Sequence, residues 1–244
     1  LVVHLAASLG VVNVERDPVQ TLDVNLGGTK NVLEACRANN IKKIIFSSSS
    51  EVYGEPIKVP IKETDKAIPI TTYGISKFTA EEYIKSYSKN YGMEYTIFRL
   101  FNVYGSTQDT RWVLPEFVDK AISNKQISVH SDGSQVRAFC YVSDIVSAFQ
   151  SALETANSEI INVGNDSYPI SIKDLAEKII SLTNSQSQIK FVPFDESNRN
   201  RIEIIKRIPD INKARKILNY SPKITLDEGI EKVVKYRKEI NSDK

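Results

Sequence analysis

The stretch Lys42-Lys43-Ile44-Ile45-Phe46, followed directly by Ser47 to Ser50, determines how the fold is interpreted. A short apolar run of this kind predicts a strand that is buried on both faces, as in a parallel sheet. The four serines stand at its carboxyl end. Ligands of open parallel α/β sheets bind beyond the carboxyl ends of the strands. The serine run therefore predicts the position of a site as well as the end of a strand.

Strands and helices alternate on both sides of this stretch. Leu1 to Leu5 is typical of a second buried strand, and Asp17-Pro18 predicts a helix start, because proline suits the first helical position. A long helix is predicted from Tyr73 to about residue 90, and Tyr95 to Leu100 predicts a third strand. This order indicates an α/β fold with a Rossmann-like, doubly wound parallel sheet.

The second half of the chain has a mixed pattern. Its predicted elements are a helix at Leu114 to Ser123, a strand at Ile127 to His130, a helix opening at Asp144, a strand at Glu159 to Val163, and helices near Asn212 to Leu218 and Leu226 to Tyr236. We predict a dinucleotide-binding domain at 1–103 and a smaller, interwoven and discontinuous C-terminal substrate lobe at 104–244. The strand near 159–163 and part of 135–158 are expected to return to the first domain.

Tyr73 and Lys77, the ends of Tyr-Gly-Ile-Ser-Lys, predict a proton-transfer pair. Residues four apart lie on one face of a helix, so the ammonium of Lys77 is expected close to the phenol of Tyr73. An unperturbed tyrosine has a pKa of about 10, and a nearby positive charge lowers it by favouring the phenolate. The pair is then a candidate general base, and a serine of the 47–50 run a candidate partner.

Composition excludes several classes of protein. The 244 residues are 41% hydrophobic and 25% charged, and 32 basic against 30 acidic residues give a net charge of +2. This balance argues against a nucleic-acid or membrane surface. The two cysteines, Cys36 and Cys140, cannot form a disulfide framework or a zinc site, so we expect buried thiols and no metal. With no signal peptide or long apolar run, we expect a cytoplasmic protein.

Several motifs recur in the order found in a known family. They are His4-Leu-Ala-Ala7, Phe46-Ser-Ser-Ser-Ser-Glu-Val-Tyr-Gly54, Tyr73-Gly-Ile-Ser-Lys77, Arg99-Leu-Phe-Asn-Val-Tyr-Gly105, Gly133-Ser-Gln-Val-Arg137, Tyr141-Val-Ser-Asp144 and Ile161-Asn-Val-Gly164. The chain resembles the extended short-chain dehydrogenase/reductase family, specifically its nucleotide-sugar epimerases, dehydratases and decarboxylases. The resemblance implies NAD as cofactor, a nucleoside-diphosphate sugar as substrate, and a homodimer.

The resemblance also implies roles for single residues. Tyr73 would be the base, Lys77 would hold the nicotinamide ribose and lower the pKa of Tyr73, and Ser49 would be the catalytic serine. The implied cofactor contacts are Leu5, Ala6, Ala7, Asn25, Ser47, Tyr73, Lys77 and Phe101. The implied substrate contacts are Asn102 at the nucleotide, Val113, Arg137 at the diphosphate, and Arg201. The glycine-rich phosphate loop of the family is absent, and we expect an N-terminal βαβ portion outside this sequence.

Glu51 leaves the reaction open. Dehydratases and decarboxylases of the resembled family carry a glutamate at this place, which makes Glu51 a fourth candidate catalytic residue. The aspartate that accompanies it as the acid in sugar dehydratases is Ser50 here, which weakens the dehydratase alternative. We favour a 4-epimerase of the UDP-glucose/UDP-galactose type that passes through a 4-keto intermediate. A dehydratase, a UDP-glucuronate decarboxylase and a non-catalytic nucleotide-binding regulatory protein are the alternatives.

Overall fold

The computed structural model describes residues 1–155, 157–193 and 204–242. Its strands are β1 (Val2–His4), β2 (Lys43–Ser49), β3 (Glu94–Leu100), β4 (Val103–Tyr104), β5 (Ile127–His130), β6 (Val136–Ala138), β7 (Cys140–Tyr141), β8 (Glu159–Val163), β9 (Pro169–Ser171), β10 (Ile189–Val192) and β11 (Lys206–Arg207). Its α-helices are α1 (Val11–Arg16), α2 (Pro18–Leu22), α3 (Gly28–Ala38), α4 (Thr72–Tyr91), α5 (Val113–Ile122), α6 (Val142–Ala152), α7 (Ile172–Thr183), α8 (Asn212–Leu218) and α9 (Leu226–Ser242).

The central sheet is parallel throughout, with the strand order β1-β2-β3-β8. The β2–β3 register runs from Lys43 opposite Glu94 to Ser49 opposite Leu100. Strand β8 pairs with β3, which confirms that the 159–163 segment returns to the main sheet. The predicted α/β fold with a parallel sheet is confirmed. The division at residue 103 stays a prediction.

Both faces of β2 are buried, as its apolar run predicts. Ile44 and Phe46 point to one side and pack in a cluster with Leu33 of α3 and Ile84 of α4. Ile45, between them, points to the other side and packs with residues of β3, α6 and β8, such as Phe98. Successive side chains of a strand alternate between faces. Helices therefore cover both faces of the sheet. A polar ligand can reach the sheet only at the strand ends.

The first helical region is divided more finely than the sequence indicates. A helix, α1, precedes the predicted start, and Asp17 then caps α2 by accepting a hydrogen bond from the amide of Gln20 at 2.8 Å. A π-helical segment, Asp23–Gly27, separates α2 from α3. The predicted single helix is therefore three consecutive segments, and α1 went unpredicted.

A second hydrophobic cluster forms the C-terminal lobe, where α5, α7 and α9 pack around buried residues such as Phe117, Ile179 and Val233. Strand β6 lies between β11 and β9 in a separate small sheet. Ser171 caps α7 by accepting from the amide of Asp174 at 3.0 Å. Cys36 and Cys140 are buried free thiols, as expected. Within the described ranges, no helix combines the length and hydrophobicity needed to cross a bilayer.

Candidate active site

A cavity of about 550 Å³ opens where β1, β2 and β3 end. Its sheet side is formed by residues following these strands or at their ends, and its other side by residues of the C-terminal lobe. The lining includes Leu5, Ala7, Ser47, Ser49, Glu51, Tyr73, Lys77, Asn102, Val113, Arg137 and Arg207. The site therefore lies at the carboxyl edge of the parallel sheet, where such folds bind ligands.

Helix α4 brings Tyr73 and Lys77 to the cavity in its first two turns. The ammonium of Lys77 lies 5.7 Å from the ring centroid of Tyr73 and 4.6 Å from that of Phe46. It also donates a hydrogen bond to the carbonyl of Ser47 at 2.7 Å. Burial lowers the pKa of Lys77 to about 8, partly offset by the negative charge of Glu81. Lys77 is thus an anchored cation that still carries its proton at neutral pH.

The pKa of Tyr73 shifts in the direction opposite to the one expected from the sequence. Burial raises it, because a phenolate loses its hydration, and the negative charge of Glu51 raises it further. The expectation that Lys77 lowers the pKa of Tyr73 below its ordinary value is therefore wrong for this arrangement. Burial and the charge of Glu51 act in the same direction, and Tyr73 is a neutral phenol at neutral pH.

Ser49 and Glu51 stand side by side at the end of β2. The hydroxyl oxygen of Ser49 accepts from the amide of Glu51 at 3.2 Å, which uses a lone pair and leaves its proton for donation elsewhere. The carboxylate of Glu51 accepts from the hydroxyl of Thr71 at 2.7 Å and from Nη1 of Arg207 at 3.4 Å. Each carboxylate oxygen of Glu51 therefore accepts a hydrogen bond.

Close packing at Gly74 fixes α4 against this turn. A Cβ atom at Gly74 would stand 2.7 Å from the carbonyl oxygen of Glu51 and 3.1 Å from the hydroxyl of Thr71. The same Thr71 hydroxyl caps α4 by accepting from the amide of Gly74 at 2.9 Å. The glycine next to Tyr73 therefore sets how near the helix approaches Glu51.

On the lobe side, three expected substrate contacts are present at the cavity. Asn102 has a positive φ of 38° and donates from Nδ2 to the carbonyl of Ala138 at 3.4 Å. Val113 is the first residue of α5. Arg137 is buried, and its Nη1 donates to the carbonyls of Val136 and Ile205 at 3.0 and 3.2 Å. The fourth, Arg201, lies outside the described residues.

Of the expected cofactor residues, Leu5, Ala7 and Ser47 line the cavity with Tyr73 and Lys77, and three others do not. Ala6 is exposed outside it. Phe101 is fully buried in a small cluster with Val52, Tyr53 and Ile61. Asn25 is buried and instead joins two elements: it bonds the backbone of Ser8 at 2.7 and 3.1 Å and the hydroxyl of Ser76 on α4 at 2.9 Å.

The residues at this edge fit the nicotinamide half of a dinucleotide. Leu5 and Ala7 supply an apolar wall, and Lys77 presents its ammonium beside the Tyr73 phenol within the same cavity. An apolar surface suits a planar ring, and ammonium and phenol groups suit ribose hydroxyls. Asn25 would act on the cofactor through the loop it holds after β1.

Arg207 is the functional residue that sequence analysis missed. Its neighbours Ile205, Lys206 and Ile208 form no motif, and we expected the arginine contact from Arg201. Its position is set by long-range pairing: β11 pairs in parallel with β6, which places Arg207 opposite Arg137. Among the described residues, no acceptor reaches the buried Nε of Arg207. In the sequence, Arg207 is only one basic residue of a short strand, and this signal is too weak to assign it to the site.

A parallel α/β sheet with serine, tyrosine and lysine gathered at its carboxyl edge defines a site of the short-chain dehydrogenase/reductase type. Residues 1–164 match the sequence profile of the NAD dependent epimerase/dehydratase family, and the chain belongs to this family. It is an NAD-dependent enzyme of nucleotide-sugar chemistry, and its cofactor is NAD.

Two relatives and one solved structure show the range of this similarity. A UDP-N-acetyl-alpha-D-glucosaminuronate decarboxylase of Bacillus cytotoxicus is 34% identical over 100% of this chain and 78% of its own length. A UDP-glucuronate 4-epimerase of Thermodesulfobacterium geofontis is 31% identical over 98% of this chain and 72% of its own. The UDP-glucose 4-epimerase of Thermotoga maritima, solved with UDP-glucose, superposes with a TM-score of 0.92 at 31% identity, covering 98% of this chain and 77% of that one.

Proposed function

We propose that this chain is an NAD-dependent nucleotide-sugar 4-epimerase that acts on a UDP-hexose of the UDP-glucose/UDP-galactose type. The observation that carries the proposal is the shared cavity of Ser49, Tyr73 and Lys77, with Glu51 held beside them in an ion pair. The first three residues provide for oxidation at a sugar hydroxyl. The hydrogen bonds of Glu51 bear on which reaction the keto sugar undergoes after this oxidation.

The chain's own residues manage the proton of the sugar hydroxyl. Tyr73 accepts the proton from the 4-hydroxyl in its phenolate form, which is the minor form at neutral pH, and Ser49 can donate to the same oxygen. Lys77 supplies the positive charge that stabilises the phenolate once it forms. The bound cofactor of this family supplies reversible hydride transfer at the sugar carbon. When the keto sugar has turned in the cavity, Tyr73 returns the proton and the product has the opposite configuration at C4.

The surroundings of Glu51 argue against elimination as the next step. A base that removes a second proton must turn a lone pair toward it, whereas hydrogen bonds from Thr71 and from Arg207 each hold one oxygen of the Glu51 carboxylate. Ser50, in the place of an acid, has only 2% of its surface exposed and is a weak acid in any case. An epimerase needs neither group for chemistry, so both features support epimerisation over dehydration.

One observation supports a second candidate, the decarboxylation of a UDP-uronate. Arg207 lines the cavity and keeps its buried Nε without an acceptor among the described residues. A guanidinium binds carboxylates through two parallel hydrogen bonds. A substrate carboxylate could therefore exchange with Glu51 as its partner, and loss of CO₂ from a 4-keto uronate would follow.

Three separate reactions test these candidates. Purified protein with NAD is incubated with UDP-glucose, UDP-glucuronate or dTDP-glucose, and the products are identified by NMR. Formation of UDP-galactose from UDP-glucose is the expected result. Release of CO₂ from UDP-glucuronate would replace the proposal by the second candidate, and a 4-keto-6-deoxy sugar from dTDP-glucose would contradict both. No conversion of any substrate would favour a regulatory nucleotide-binding protein.

A further inference from the structure

A buried ion pair lies directly beneath the cavity. The guanidinium of Arg99 on β3 donates to both oxygens of Glu81 on α4, at 3.0 Å from Nε and 2.7 Å from Nη2. The exposed fractions of the two side chains are 5% and 0%. Ser48 on β2 joins the network, donating from its hydroxyl to Glu81 at 2.5 Å. Burying two charges is costly unless their geometry and remaining hydrogen bonds compensate. A buried ion pair is therefore weak evidence for added stability, which points to a role other than stability.

Two members of the network, Glu81 and Ser48, adjoin residues of the active site. Glu81 lies one helical turn beyond Lys77 on α4. Ser48 lies between Ser47, whose carbonyl holds Lys77, and Ser49. The Glu81 carboxylate therefore connects the helix that presents the general base to the strand that presents the catalytic serine.

We propose that Glu81 is a positioning residue for the reaction: through Ser48 and Arg99 it fixes helix α4 against β2 and β3, and so sets where Lys77 and Tyr73 stand relative to Ser49. This inference rests on the proposed function, because it assigns those three residues to one reaction. Glu81 does not line the cavity and acts only through its neighbours.

Glu81 also bears on the charge of Lys77. The ionisable groups that face Lys77 are Tyr73 and Glu81 on its own helix and His4 on β1. The pKa of Tyr73 is raised and the pKa of His4 is lowered by burial, so both are neutral at neutral pH. Glu81 is then the charged member of this set, and its negative charge favours the protonated form of Lys77. Without it, the positive charge of Arg99 would stand uncompensated nearby.

The test compares Glu81→Gln with Glu82→Gln, which removes the next carboxylate of the same helix, an exposed partner of Lys85. The pKa of Lys77 is followed by NMR on protein carrying ¹³C at the lysine ε position, assigned with Lys77→Arg. The steady-state rate with UDP-glucose is followed against pH. We expect Glu81→Gln to lower the pKa of Lys77 by about one unit and kcat at pH 8 by about tenfold. KM should change little, and Glu82→Gln should match wild type in both readouts.

Two further variants cover the case in which Glu81→Gln alone does not fold. Glu81→Gln with Arg99→Gln removes both charges and should return the pKa of Lys77 part of the way toward wild type. Ser48→Ala keeps the ion pair and should lower kcat while leaving the pKa of Lys77 unchanged. An unchanged pKa of Lys77 in the charge variants, with wild-type kcat in Ser48→Ala, would overturn the inference. Failure of wild type to convert UDP-glucose would instead refute the proposed function, and the titration, which needs no substrate, would still test whether Glu81 keeps Lys77 in its charged form.

Discussion

Glu51 and Arg207 form an ion pair across the cavity, with 3.4 Å between the carboxylate oxygen and Nη1. Glu51 belongs to the turn after β2, and Arg207 belongs to β11 of the lobe. The backbone amide of Ile205, near Arg207, donates to Glu55 of the same loop at 3.0 Å. The segment that carries Arg207 is thus fastened to the turn after β2, and the charge of Glu51 acts on Tyr73.

Replacing Glu51 by glutamine should make Tyr73 a stronger acid. Glu51 raises the pKa of Tyr73, so removing its charge lowers that pKa. The rising limb of the pH–rate profile, along which Tyr73 loses its proton, should then move to lower pH by about 0.5 to 1 unit. Glu82→Gln, at an exposed carboxylate of α4, is the control. A rising limb that moves to higher pH in Glu51→Gln would contradict this account.

Replacing Arg207 by glutamine should have the opposite effect. With its cationic partner gone, Glu51 acts on Tyr73 without compensation, so the pKa of Tyr73 rises and the rising limb moves to higher pH by about 0.5 unit or more. The double variant Glu51→Gln with Arg207→Gln should match Glu51→Gln alone, because Arg207 acts on Tyr73 by compensating the charge of Glu51. Lys206→Gln changes the exposed neighbouring cation and serves as the control. Additive shifts in the double variant would show that the two residues act independently.

Gly74→Ala should harm both stability and turnover. The new Cβ would stand 2.7 Å from the carbonyl oxygen of Glu51, a backbone atom that cannot move aside cheaply. We expect a loss of about 1–3 kcal/mol in the free energy of unfolding and a lower kcat. Gly28→Ala, at a helical glycine with open space around it, should instead gain about 0.5–1 kcal/mol. Equal effects of the two substitutions in thermal unfolding would refute the close-approach argument.

Asn25→Ala should loosen the loop after β1. Asn25 holds the backbone of Ser8 and the hydroxyl of Ser76, and losing these buried bonds should cost about 1–2 kcal/mol of unfolding free energy. Because Ala7 of that loop lines the cavity, the variant should also bind NAD more weakly in a fluorescence titration. Asn39→Ala, which removes an exposed hydrogen bond at the end of α3, is the control. If Asn25→Ala binds NAD as tightly as wild type does, Asn25 does not contribute to the cofactor site.

The elements predicted correctly are those whose sequence signal is local and strong. Ile127 to His130, Glu159 to Val163 and Asn212 to Leu218 were predicted with the bounds that the structure has. Continuous apolar runs mark strands buried on both faces, and helical spacing marks an apolar stripe. The spacing of Tyr73 and Lys77 likewise depends only on helix geometry. These features can be predicted without knowing the rest of the chain.

The features that were missed depend on distant parts of the chain. Strand β11 exists because it pairs with β6, about 70 residues earlier, and that pairing brings Arg207 to the cavity. The pKa of Tyr73 depends on how deeply the ring is buried, which no spacing reveals. The side chain of Phe101 turned into the core rather than the cavity for the same reason. Long-range packing decided all three.

The most direct test of the account is the conversion of UDP-glucose by wild type and by Tyr73→Phe, with NAD supplied and product measured by NMR. General acid–base catalysis by one side chain contributes about 10²- to 10⁴-fold, so Tyr73→Phe should lose at least about a hundredfold in kcat. Its unfolding midpoint should remain close to wild type. Tyr83→Phe, which changes a surface tyrosine of the same helix, should keep its rate. UDP-galactose formed by Tyr73→Phe at the wild-type rate would contradict the account.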